Sequence, residues 1–243
     1  MTTRIHLISG PRNISTALMY SFRSRADTTV FDEPLYGHYL RVTGVEHPGR
    51  EEILASVETN GETAIREIIL GPCPTPVVFL KSMGHHTLGL GLDLSFLDDV
   101  TNVFLIREPE EMLTSLIKNL PEATPDMTGL PQQVELLDRI VAAGGDPVVL
   151  DSGEVLRAPE AVLRGLCERV GIVWDPAMLS WSRGAKPEDG VWAPTWYRRL
   201  HDTTGFEPHR PNDETVPDHL LDVLEECRAH YRRLAPLAIR AGD

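Results

Sequence analysis

"LISGPRNISTALMYSF", Leu7 to Phe22, opens as an apolar strand, bends at Gly10-Pro11 and continues with the spacing of a helix. In an open parallel sheet such a bend lies beyond the carboxyl end of a strand, where ligands bind. A turn leading into a helix presents backbone N–H groups and the positive end of the helix dipole, both suited to phosphate or sulfate. Ser15 and Thr16 add hydroxyl donors, and Arg12 adds a permanent fork-shaped charge. The Gly-Lys-Ser/Thr of an ATP-cleaving loop is absent, and an arginine stands where its lysine is expected.

Four further apolar runs read as strands: Thr28 to Phe31, Pro76 to Lys81, Asn102 to Arg107 and Pro147 to Asp151, with the first strand over Arg4 to Ser9. Most are continuous rather than alternating, as in strands covered on both faces. Helical patterns follow or separate them at Ser15–Arg25, Arg50–Ile69, Pro109–Leu120, Pro131–Gly145 and Ala158–Ile172, and a long one closes the chain at Val216–Ile239. Strands alternating with helices predict an α/β three-layer sandwich around a mainly parallel sheet, as a single domain over residues 1–243. The irregular stretch at residues 182–212 has the length and position of a lid or substrate segment. A second loop, Pro121 to Pro131, is proline-rich and is expected near the mouth of the cleft.

Bulk composition narrows the function. The 243 residues and an apolar fraction of 42% suffice for a sizeable core. A net charge of −13, from 23 basic and 36 acidic residues, disfavours nucleic acid and anionic membrane as partners. No apolar stretch approaches the ~20 residues of a membrane span, and the N-terminus runs into a strand without a secretory segment. Cys73, Cys167 and Cys227 form an odd, scattered set without a C-x-x-C pair, which fits reduced thiols and a cytoplasmic location. The basic residues comprise 20 arginines and only three lysines, Lys81, Lys118 and Lys186, so any concentrated positive charge must be largely guanidinium.

A second strand-end site appears in "IREPEEMLTS", Ile106 to Ser115. Arg107 sits at the strand tip, Pro109 starts a helix, and Ser115 follows about two turns on. Two such sites in one sheet point to a ligand carrying phosphates at both ends.

Taken together, these residues resemble the sulfotransferases that use 3′-phosphoadenosine 5′-phosphosulfate (PAPS). The resemblance spans nearly the whole chain and implies their P-loop-type topology. It assigns the 5′-phosphosulfate to Pro11, Arg12, Asn13, Ile14, Ser15 and Thr16, and the 3′-phosphate to Arg107 and Ser115. The segment "LDSGEVLRAPEAVLRGLCERVGI", Leu150 to Ile172, is similar to a third family feature. More narrowly, "GPRNISTALMYSF", "FDEPLYGHYLR", "LKSMGHH" and "PEDGVWAPTWYRRLH" resemble sulfotransferase-like proteins that also occur fused to aminotransferase-like segments in plants. Ile14 stands where the family has a flexible glycine, and Arg12 where many members have lysine.

The resemblance also implies the chemistry: transfer of a sulfuryl group from PAPS to a hydroxyl or amine of a small-molecule acceptor, with no metal required. Glu33, in a Glu-Pro stretch like that of bacterial members, is the first choice of base. Lys81 is expected to donate to the bridging oxygen where Arg12 cannot, with His85 or His86 assisting or binding the acceptor. Arg183 and Lys186 parallel the family's lid contacts to the 3′-phosphate, and Trp192, Trp196 and Tyr197 wall the acceptor or the adenine. The paired histidines lack a third ligand at metal-binding spacing. Two rivals stay open: a nucleotide-dependent kinase, and a relative that is non-catalytic or acts on a sulfate ester by sulfate elimination. Assembly, as a homodimer or with a different partner chain, is also open.

Overall fold

β1 (Thr3–Ser9) is the central strand of a sheet whose order is β2-β3-β1-β4-β5, with β2 at Thr28–Asp32, β3 at Val77–Met83, β4 at Thr101–Ile106 and β5 at Val148–Asp151. The computed structural model describes residues 2–209 and 214–242. Every pairing is parallel, with Ile5 of β1 opposite Phe79 of β3 and Thr101 of β4. The mainly parallel α/β sandwich expected from the sequence is the observed architecture.

The continuous apolar runs are explained by cover on both faces. Ile5 and Leu7 of β1, with Val103 and Leu105 of β4, pack against the helices Ser15–Arg23 and Pro159–Arg169. The intervening residues Ile8, Phe104 and Ile106 face the opposite layer, formed by the helices Pro109–Leu116, Leu130–Ala142 and Leu221–Leu234. Because side chains alternate along a strand, a strand buried on both sides favours apolar residues at successive positions, and its buried polar residues are few, such as His6 on β1 and Lys81 on β3. A smaller cluster, including Tyr36, Leu40, Trp192 and Tyr197, packs beside the carboxyl end of β2.

The bend after β1 requires Gly10. A Cβ at this position would lie 2.1 Å from the carbonyl oxygen of Thr128, so the backbones touch where a side chain would stand. The contacting junction turns at Gly129, whose φ of 72° is left-handed. Gly10→Ala is therefore expected to lower stability by about 1–3 kcal/mol in urea denaturation, as for an overpacked core site. An unchanged midpoint would refute the close approach.

Two helical expectations are corrected. The pattern at Arg50–Ile69 is not one helix: a helix at Arg50–Ser56 ends where Val57 becomes extended, and the chain restarts as a helical turn at Gly61–Ala64 and a π-helical turn at Ile65–Ile69. Asn60 accepts a hydrogen bond from the Thr63 N–H at 3.1 Å and caps the restart. Gly61 lies where a Cβ would be 2.3 Å from Leu92, so the Asn-Gly pair is a built break. The closing helix spans Leu221–Leu234 and is flanked by 3₁₀ turns at Asp218–Leu220 and Ala235–Leu237. Among the described residues, no helix is long and apolar enough to cross a membrane.

Candidate active site

A cavity of about 610 Å³ opens beyond the carboxyl ends of β1 to β4. Residues 11–16, Glu33, His85, His86, Arg107 and Ser115 all line it. The two strand-end sites expected separately are thus parts of one cavity, and they touch: Arg107 Nη1 donates to the Arg12 carbonyl at 2.7 Å, and Arg12 Nε donates to Ser115 Oγ at 2.9 Å.

The turn is held in a costly shape. Arg12 and Ile14 have φ of 63° and 60°, left-handed values that disfavour side chains, β-branched ones above all. Ile14 thus adopts a conformation natural to glycine. The strain is balanced by clamps from neighbouring strand ends. Asn13 Nδ2 donates to the Leu105 carbonyl at 3.2 Å, and Ser152 Oγ donates to the Asn13 carbonyl at 2.9 Å. No side chain caps the helix that starts at Ser15, so its first N–H groups remain available at the cavity wall.

Guanidinium groups crowd this end. The Arg12 pKa is lowered first by burial, then by repulsion from Arg107 and Arg199. Arg107 is offset by Glu111 at 3.2 Å, Arg199 by Glu207 at 2.8 Å and Lys118 by Glu214 at 2.8 Å. Among the described residues, Arg12 has no carboxylate partner within salt-bridge distance. A dense cationic cluster of this kind gains most from a multiply charged anion.

At the other end stands a buried carboxylate pair. Glu33, at a left-handed φ of 50°, donates its backbone N–H to the Lys81 carbonyl at 2.8 Å. Lys81 Nζ donates to Asp32 Oδ1 at 2.6 Å, Glu33 Oε1 at 2.5 Å and the Tyr197 hydroxyl at 2.8 Å. The Tyr197 hydroxyl in turn accepts from Trp192 Nε1 at 2.8 Å and donates to Asp32. Burial raises the Glu33 pKa, with the Asp32 charge adding to the rise and Lys81 opposing it. Its second oxygen, Oε2, is 3.5 Å from His86 Nδ1.

This network corrects the role expected of Lys81. The ammonium is fully buried beneath Glu33, and its three N–H donors are all engaged, so none is left for a bridging oxygen in the cavity. His85 and His86 do reach the cavity, but as neutral rings. Burial lowers the His85 pKa to about 3 and pushes that of His86 well below its ordinary value.

Arg183 and Lys186 are also corrected, since neither lines the cavity. Arg183 is exposed, whereas Lys186 Nζ donates to the carbonyls of Ser182 and Gly184 and lies over the Tyr20 ring. Within the expected lid at 182–212, the wall begins at Trp192 and includes Trp196, Tyr197, Arg199 and Phe206. Residues 210–212 of that segment lie outside the described residues. Arg199 is a cation that the sequence reading missed, although the basic pair in "WYRRLH" marked it. Tyr36, Tyr39 and His47 were missed as well. The first two sit one helical turn apart on Tyr36–Thr43, a helix too short to show in the apolar pattern.

The family described as sulfotransferase domain matches residues 3–233. Branched-chain-amino-acid aminotransferase-like proteins 2 and 1 of Arabidopsis thaliana are 39% and 38% identical over 230 residues, which is 95% of this chain and 41% of each relative. The chain therefore spans about two fifths of those relatives. Among solved structures, a sulfotransferase from Alicyclobacillus acidocaldarius superposes with a TM-score of 0.55 at 12% identity, over 99% of this chain and 97% of its own. The sulfotransferase domain from the curacin biosynthetic pathway superposes at 0.52 with 14% identity, covering 97% of this chain and 98% of its own. At those identities the likeness is one of fold.

Proposed function

The chain belongs to the family of sulfotransferase domains, and on that premise we propose that it transfers the sulfuryl group of PAPS to a hydroxyl or amine of a small molecule. The observation that carries this reading is the juxtaposition within one cavity of an uncapped helix start and a crowded guanidinium cluster with a buried carboxylate whose outer oxygen is unengaged by lysine.

The residues present fit a donor with phosphate at two positions. Arg12 and the uncapped N–H groups of the helix start at Ser15 would hold the 5′-phosphosulfate, and Arg107 with Ser115 the 3′-phosphate. The donor supplies an activated sulfur whose leaving group is a phosphate. A phosphate leaves as an anion near neutral pH, its second pKa being about 6. It therefore needs positive charge more than a proton, and Arg12 serves without help from Lys81. Glu33 takes the acceptor's proton as the new oxygen–sulfur or nitrogen–sulfur bond forms and the sulfur–phosphate oxygen bond breaks. Its raised pKa makes it a stronger base than an ordinary glutamate, and Lys81 bonds its Oε1, leaving Oε2, 3.5 Å from His86 Nδ1, without a lysine partner. The strained backbone at Arg12, Ile14 and Glu33 places groups from β1 and β2 ahead of binding.

Calorimetry with 3′-phosphoadenosine 5′-phosphate, without magnesium, tests the reading. Micromolar binding with no heat from ATP is expected. ATP binding instead would favour a kinase, and no binding of either nucleotide would sink the assignment. Glu33→Gln is expected to leave that binding intact and to lower turnover by roughly 10²-fold or more. In the unaltered protein, turnover is expected to fall on the acid side above the ordinary carboxylate range, because the base must be ionised and burial raises its pKa. A fully active glutamine variant would dismiss Glu33 as base.

A further inference from the structure

We propose that the Glu33 end of the cavity is built for an organic cation, so that the acceptor is a positively charged hydroxyl compound such as an amino alcohol. The inference rests on the sulfotransferase reading above for the reaction, but on this end's own chemistry for the ligand.

Two observations are independent of the anion site. The first is charge. Asp32 and Glu33 place two carboxylates against the single ammonium of Lys81, an arrangement one positive charge short of neutral when both are ionised. The imidazoles nearby do not make up the difference, because burial keeps His85 and His86 neutral at pH 7 and lowers the pKa of His47. The cavity's cations, Arg12, Arg107, Arg199 and Lys118, belong to the turn, the β4 end and the outer wall, and three of them already face Glu111, Glu207 or Glu214.

The second is the wall itself. Tyr36, Tyr39, Trp192 and Trp196 line this end, packed edge and face against one another and the histidines. Tyr36 meets Trp192 at 5.1 Å and 80°, Tyr39 meets His86 at 4.4 Å, and His47 meets Trp196 at 6.2 Å. The electron-rich faces of Tyr and Trp attract an ammonium, and do so most strongly where water is excluded. Both ring nitrogens of His86 and Nδ1 of His85 are buried without a hydrogen-bond partner among the described residues. Each neutral imidazole offers one lone pair, which suits a cation or the acceptor's hydroxyl, and one N–H. A bound cation would also favour the ionised form of Glu33, the form that accepts the hydroxyl proton.

The test uses matched pairs in calorimetry on the full chain, with and without 3′-phosphoadenosine 5′-phosphate: choline against its neutral isostere 3,3-dimethylbutan-1-ol, and tyramine against 4-propylphenol. The charged member of at least one pair is expected to bind about 10-fold more tightly or better. Tyr39→Leu keeps bulk but removes a π face, and is expected to shrink that preference at least about threefold while leaving nucleotide affinity unchanged, which certifies its fold. Neutral members binding as tightly as charged ones, or neither member of either pair binding, would overturn the proposal. An undiminished preference in the folded leucine variant would overturn the part given to the aromatic wall. Failure of the nucleotide to bind the unaltered protein would count against the sulfotransferase reading instead, since the pairs are compared without it too.

Discussion

Replacing Lys81 by methionine is expected to destabilise the protein by about 3–5 kcal/mol, the scale for breaking a buried ion pair from one side. For a chain of this size that corresponds to a fall in melting temperature of roughly 6–20 °C. The ammonium is fully buried and is the only cation bonded to Asp32 and Glu33 among the described residues. Removing it strands two carboxylates and leaves the Tyr197 hydroxyl one donor short.

The pH dependence of this loss has a definite sign. A buried carboxyl without its cation prefers the protonated form, so its folded pKa lies above the unfolded value of about 4. The folded variant then binds more protons than the unfolded chain, and its stability declines as pH rises through that interval. The deficit should therefore be smallest near pH 4 and greatest at neutral pH. Adding Glu33→Gln to the variant should recover part of it by removing one stranded charge. Thermal melts at several pH values check both statements. A deficit below about 1 kcal/mol at pH 7, or one independent of pH, would show that Lys81 is not the counter-charge of this pair.

Arg107→Ala is expected to weaken binding of 3′-phosphoadenosine 5′-phosphate by about 2–5 kcal/mol, or roughly 30- to several-thousand-fold in Kd. Two losses combine. The guanidinium is the cation at the β4 end beside Ser115, and its Nη1 also holds the carbonyl of strained Arg12. Without that hydrogen bond the turn loses one of the clamps that offset its left-handed geometry, and the positions of its N–H groups become less defined. Because Glu111 would be left partly unpaired, the same variant would place a carboxylate with reduced compensation beside the anion site. Titration against the unaltered protein settles the point, and an unchanged Kd would remove Arg107 from the anion site.

The fold was readable because its signals are local. Five apolar runs, most of them continuous, correspond to five strands, each within about two residues of its expected limits, and only the edge strand β2 is largely half-buried. The turn after β1 was readable for the same reason: Gly10, Arg12 and Ser15 are close in sequence and lie in one bend. The helix at Arg50–Ile69 was over-extended because its apolar spacing outweighed the Asn60-Gly61 signal, whereas the structure resolves that choice through the contact of Gly61 with Leu92 and His38.

By itself the sequence determined the parallel sandwich, the turn after the first strand and the carboxylate at Glu33, since each is written in residues a few positions apart. The tertiary structure alone decided which charges are free to act. Lys81 is withdrawn beneath Glu33 by Asp32 and by Tyr197, which lies 116 residues away in sequence, while Lys186 is occupied by backbone carbonyls and Arg199 is brought to the cavity wall. The physical reason is that the availability of an ammonium or guanidinium depends on the burial and hydrogen-bond partners that surround it, and those are supplied by segments distant in the chain.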